Sequence, residues 1–141
     1  MRIDVTRDVF QLAQVFTIAR GSRTEAQVLT VRVSDGDVTG VGECVPYARY
    51  GETLDSVTAQ INGLPADISR MGLYDLLPAG AARNAVDCAL WDLEAKRAGK
   101  RVWELAGLVK PGPEITAYTL SLDSPEAMQA QAAKNAFRPL L

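Results

Sequence analysis

The stretch from Leu77 to Lys100 constrains this chain more than any other, because it reads as one long helix with both ends marked. Pro78 and Gly80 open it, Gly99 closes it, and about five turns of good helix formers lie between. Ala81, Ala82, Ala85 and Ala89 are small enough to let a neighbouring element come close, while Leu90, Trp91 and Leu93 supply bulk. A fold built around this segment must offer it a partner surface, and the residues before it point to a sheet.

The first 45 residues read as three antiparallel strands. Val5, Val9 and Phe10 lie in an extended opening segment. Val28, Leu29, Val31 and Val33 enrich the second strand in β-branched and apolar residues. Asp35-Gly36 is a hairpin turn signal, since glycine tolerates positive φ, and Val38, Val41 and Val45 carry the return strand. Ile18 to Glu25, with a glycine, a serine and charges, reads as a loop between the first two strands, and Pro46 to Glu52 as a second loop. The period then turns helical at Leu54, Val57 and Ile61, with a short helix expected over Leu73 to Leu77 and one or two turns over Val102 to Leu108.

Pro111-Gly112-Pro113 can continue neither a helix nor a central strand, so it divides a first domain, residues 1–110, from a segment of different pattern, 111–141. Ile115 to Leu122 reads as a strand. Ser124 caps a helix with Pro125 at its first position, running to about Asn135, and Pro139-Leu140-Leu141 reads as entry to a further strand. The order is an α+β meander with helices, then the first step of a βα series.

Composition removes several function classes. The chain has no histidine, which excludes Ser-His-Asp and Cys-His catalysis and every His-bearing zinc motif. No apolar run is long enough to span a membrane, the N-terminus lacks a secretory pattern, and a net charge of −2 without a basic stripe argues against nucleic acid. Cys44 and Cys88 lie in apolar patterns outside any CxxC spacing and read as buried, reduced thiols of a cytoplasmic protein. Gly40-Val41-Gly42 lacks the third glycine of a nucleotide loop and opens no helix, so a bulge or a close backbone approach is the simpler reading. Asp87 and Asp92 are five apart and share no helix face, whereas Asp92 and Lys96 form an i, i+4 pair, so these carboxylates read as structural and no metal site is expected from them.

Two loops hold the residues with chemistry. Arg20 and Arg23 flank Gly21-Ser22. They are either solvated surface charges or a fork for a carboxylate, which a guanidinium binds through two parallel hydrogen bonds. Tyr47, Arg49 and Tyr50 either pack their loop onto the helices or form a lid whose aromatic faces keep water from a ligand. Thr116 and Thr119 face opposite sides of their strand, and β-branched filling accounts for both.

Taken in order, Ile18-Ala19-Arg20-Gly21-Ser22-Arg23, then Gly42 to Glu52, then Pro78 to Leu93, and finally Ile115-Thr116-Ala117-Tyr118-Thr119 resemble dipeptide epimerases of the L-Ala-D/L-Glu type. These belong to the muconate-lactonizing branch of the enolase superfamily. The resemblance implies an N-terminal α+β capping domain, with a three-stranded antiparallel meander plus helices, followed by the first βα unit of a TIM-type barrel that is incomplete here. It implies that loops at about Phe16–Glu25 and Pro46–Glu52 close over the barrel mouth and choose the substrate. It makes Arg20 and Arg23 candidates for holding a substrate carboxylate, Tyr47 and Tyr50 for the lid, and Thr119 a substrate contact.

The implied reaction is 1,1-proton transfer at the carbon α to a carboxylate of a small dipeptide. A lysine on each face exchanges the proton, and a divalent cation, normally Mg²⁺, neutralises the enolate charge. The family's catalytic lysines and acidic metal ligands would come after a segment like Arg138-Pro139-Leu140-Leu141, so none is assigned here. These 141 residues alone are expected to be inactive, and to aggregate or leave the chain after about Pro111 disordered, because the Ile115–Leu122 strand would lack its neighbours. A homo-oligomer is compatible with the resemblance. Cycloisomerase or o-succinylbenzoate synthase activity is the alternative within the fold, and a stand-alone, non-catalytic binding module is the alternative outside it.

Overall fold

The computed structural model describes every residue from Met1 to Leu141. The chain divides into two compact units that do not follow it linearly: Met1–Val9 with Gln27–Lys110, and Phe10–Ala26 with Pro111–Leu141. Three strands, β1 (Arg2–Ile18), β2 (Gly21–Asp35) and β3 (Val38–Cys44), form one sheet in the order β1-β2-β3. β2 and β3 pair antiparallel, and Asp35 opposite Val38 leaves a two-residue turn in which Gly36 takes φ 58°.

In the first unit the pairing puts Leu29 opposite Cys44, Val31 opposite Gly42 and Val33 opposite Gly40, all on one face. Helix α3 (Ala81–Ala98) lies on that face. A Cβ on Gly40 would sit 2.0 Å from the Ala89 carbonyl oxygen, and one on Gly42 2.0 Å from that of Ala85. The glycines and the alanine stripe are therefore two halves of one close helix-on-strand contact. Ala82, Ala85, Val86, Ala89, Leu90 and Leu93 are buried at helical spacing and meet Leu29, Val31 and Val33 in a single core. Gly99 ends α3 in the left-handed conformation, with φ 61°.

Two shorter helices complete this core. Helix α1 (Leu54–Asn62) adds Val57 and Ile61 behind a capping box, in which Ser56 N–H donates to Thr53 Oγ1 at 3.0 Å and Thr53 N–H to Ser56 Oγ at 2.9 Å. Helix α2 (Arg70–Leu76), capped by Ser69, adds Leu73. The Arg70 guanidinium stacks 3.6 Å from the Trp91 ring centroid and bonds Glu94 at 2.9 Å, which holds α2 against α3 and raises the arginine's pKa further. One turn, α4 (Val102–Leu105), follows. On the outer edge of β3, Asp92 accepts from Val41 N–H and Lys96 donates to the Thr39 carbonyl, so the i, i+4 pair also covers exposed strand groups.

The second unit holds the far ends of β1 and β2 and helix α5 (Pro125–Lys134), which Ser124 caps as its sequence implies. Three expectations are corrected here. The loop expected over Ile18 to Glu25 shrinks to the turn Ala19-Arg20, because the hairpin extends through polar cross-strand pairs, Gln11 with Glu25 and Thr17 with Ser22. The strand expected over Ile115–Leu122 carries no ladder: Tyr118 N–H reaches the Leu140 carbonyl and Leu122 N–H that of Thr17, each at 2.9–3.0 Å, with no neighbouring pair to extend them. A strand's preference is realised only in a continuous ladder against a neighbour, and this segment makes only these two separate backbone bonds. Cys88 is also corrected, being exposed, whereas Cys44 is buried.

Candidate functional site

Residues 46–52, between β3 and α1, wind into a single 3₁₀ turn at Ala48–Tyr50. Tyr50 N–H donates to the Tyr47 carbonyl at 2.9 Å and Gly51 N–H to that of Ala48 at 3.0 Å; Gly51 closes the turn with φ 74°. This compact turn brings Tyr47 and Tyr50 together, ring centroids 5.6 Å apart and planes inclined by 55°. Tyr47 is half-buried, and Tyr50 is 76% exposed.

Glu52 fixes the base of this turn. Its Oε2 accepts from Tyr47 N–H at 3.0 Å, and its own N–H returns a longer bond to the Tyr47 carbonyl at 3.4 Å. Its Oε1 accepts from Ala81 N–H at 2.6 Å, at the first position of α3. The helix needs this, because its N-cap is Gly80, which has no side chain to offer, and a carboxylate suits the positive end of a helix. Nothing local in the sequence marks Glu52: a glutamate after glycine looks like loop charge, and its partners lie 5 and 29 residues away.

A cavity of about 500 Å³ opens between the turn and the start of α3, lined by Cys44, Val45, Tyr47, Tyr50, Glu52, Ala79–Ala81 and Asn84. Its walls suit enclosure better than proton transfer. The one carboxylate already accepts two backbone N–H groups, and no lysine lines the space. Burial first, then the charges of Glu52 and Glu43, push the Cys44 thiol up to about 11, so it stays protonated at neutral pH.

The remaining candidates lie in the other unit. Arg20 sits in the β1–β2 turn and Arg23 in the first residues of β2, both exposed and close in sequence on one hairpin tip. Gly21, at φ 135°, takes the conformation that lets the chain reverse between them. Thr119 is exposed in the irregular segment before α5. The structure thus pairs the two tyrosines and sets both arginines on one tip. Nowhere do three His, Cys, Asp or Glu side chains gather as a cation would need, so these residues do not fit Mg²⁺ by themselves. No helix is long and apolar enough to cross a membrane.

Residues 2–107 match the family described as mandelate racemase / muconate lactonizing enzyme, N-terminal domain. The L-Ala-D/L-Glu epimerase of Escherichia coli K12 is 44% identical over 135 residues, covering 93% of this chain and 42% of that protein. An N-acetyl-D-glutamate racemase from a Pseudoalteromonas species is 45% identical over 108 residues, 72% of this chain and 34% of that one. A crystal structure of an enolase family member from Agrobacterium tumefaciens, with homology to dipeptide epimerases, superposes with a TM-score of 0.91 at 50% identity. That match covers 97% of this chain and 43% of the other, which is described with bound sodium, L-Ala-L-Glu and an ordered loop. The chain therefore spans less than half the length of these relatives.

Proposed function

This chain belongs to the mandelate racemase / muconate lactonizing enzyme family, and on that premise we propose that it is the capping part of a dipeptide epimerase. In this reading residues 1–110 are the cap and 111–141 begin a barrel. The full-length protein inverts the carbon α to a carboxylate in dipeptides of the L-Ala-D/L-Glu type by 1,1-proton transfer, and works in the cytoplasm. The proton-transferring lysines lie outside these 141 residues, which alone turn nothing over. Mg²⁺ is the proposed cation, held by residues outside this chain. The sodium described for the Agrobacterium relative supports a cation in such a protein.

The observation that carries this reading is the turn at 46–52: an aromatic pair on a hydrogen-bonded 3₁₀ turn, over a cavity with no proton-transfer group of its own. A surface of this kind encloses a ligand whose chemistry is done elsewhere. Arg20 and Arg23, on the β1–β2 tip, supply two guanidinium groups for a side-chain carboxylate, and Thr119 is a further substrate contact. The racemase relative, named for a glutamate derivative, favours a second reading that keeps this carboxylate and the α-proton chemistry but replaces the dipeptide by an N-acylated glutamate.

In the full-length protein, Arg20→Met and Arg23→Met should each lower kcat/KM for a glutamate-bearing dipeptide by roughly 10- to 150-fold, the worth of a charge-assisted hydrogen bond. A dipeptide with a neutral side chain should change by less than about threefold. Equal losses on both substrates would remove the carboxylate role. Faster turnover of N-acetylglutamate than of any dipeptide would select the second reading.

A further inference from the structure

The geometry points to Glu52 as a positioning residue that latches the Tyr47–Tyr50 turn to the start of α3 and so sets how tightly the substrate is held. This rests on the reading above that the turn contacts substrate. Three of the five hydrogen bonds that form and anchor the turn involve Glu52: both amide bonds to its carboxylate, and the bond from its own N–H to the Tyr47 carbonyl. The carboxylate spans two elements, because one oxygen serves the turn at Tyr47 and the other serves α3 at Ala81. α3 cannot shift to follow a moving turn, since its backbone is seated on Gly40 and Gly42. The turn is thus referenced, through one side chain, to a helix whose backbone is seated directly on the strand.

Gly80 makes the latch addressable from its other side. A Cβ there would stand 2.8 Å from Glu52 Oε1. That atom is the end of a flexible side chain, so Gly80→Ala displaces the carboxylate rather than the backbone. Glu52→Ala removes both acceptors. Glu52→Gln keeps one acceptor oxygen but turns an NH₂ toward the other amide, donor against donor, and falls between.

A latch and a merely structural residue separate in kinetics. If Glu52 positions a surface that holds the substrate in ground and transition states alike, its loss raises KM and leaves kcat nearly unchanged. If it only supports folding, fewer active molecules lower kcat at constant KM. In the full-length protein we expect Glu52→Ala to raise KM for its dipeptide roughly tenfold, with kcat within about threefold, and Gly80→Ala to do the same more weakly. Amide hydrogen exchange on the same variants should speed up by roughly tenfold or more at Tyr50, Gly51 and Glu52, while Val86 to Leu93 stay protected as evidence of an intact fold. A fall in kcat at constant KM, or unchanged exchange at Tyr50–Glu52, would overturn the latch. If the wild-type protein epimerises nothing, the functional reading fails and the exchange experiment still decides whether Glu52 holds the turn.

Discussion

The two units of this chain differ in what they bury. Met1–Val9 with Gln27–Lys110 holds every buried hydrophobic residue, and its glycines and alanines are matched to a helix lying directly on a strand. Phe10–Ala26 with Pro111–Leu141 buries one residue, Ser121, whose hydroxyl accepts from Thr17 N–H and donates to the Val15 carbonyl. Its apolar side chains Phe10, Val15, Ile115 and Phe137 stay more than half exposed, and Leu122 nearly half. The difference teaches that the first unit satisfies its own sequence, whereas the second presents apolar side chains that its own residues do not cover. The proposed lid turn belongs to the first unit, where a rigid frame can hold it.

The largest effects should come from breaking that frame. Gly42→Ala drives a Cβ into the Ala85 carbonyl, backbone against backbone, and should cost about 3 kcal/mol or more. Leu93→Ala should cost about 2–5 kcal/mol. Urea unfolding followed by the fluorescence of Trp91 and Trp103, both in the first unit, measures each. Losses below about 1 kcal/mol would break the comparison.

A smaller effect comes from Cys44. Its folded-state pKa of about 11 stands above the ordinary 9.0, so its contribution to stability is complete below pH 9 and is lost as pH rises through 11. Thiol titration at pH 8 should modify the exposed Cys88 and spare Cys44 until the unit unfolds. Equal rates at both would contradict the burial assigned to Cys44.

The smallest effects fall in the second unit and sharpen the comparison. Ile115→Ala and Phe137→Ala remove side chains that are 69% and 78% exposed. Each should change the stability of the 141-residue chain by no more than about 0.5 kcal/mol. In a full-length protein whose barrel covers Ile115, the same change should cost about 2 kcal/mol or more.

What was legible in the sequence follows the same division. The α3 helix, its glycine ends, the Asp35-Gly36 hairpin and the α1 period are written in local residue choice, and Gly40 and Gly42 behave as close-approach glycines. Tyr47 and Tyr50 were legible as a pair because the turn that joins them is local. The Ala19-Arg20 turn was not, because the hairpin arms around it pair through polar side chains that carry no hydrophobic alternation. Glu52 was hidden because its two amide partners are set by tertiary structure. Ile115–Leu122 has strand composition, but a ladder needs a second strand that these residues do not supply.

The central claim is that these residues frame a substrate whose proton chemistry is done by others. The direct measurement is exchange of the substrate α-hydrogen in deuterium oxide, followed by mass spectrometry on L-Ala-L-Glu. The account predicts deuterium incorporation by the full-length protein and none by residues 1–141 alone. Incorporation by the 141-residue chain, or none by the full-length protein with either a dipeptide or N-acetylglutamate, would contradict it.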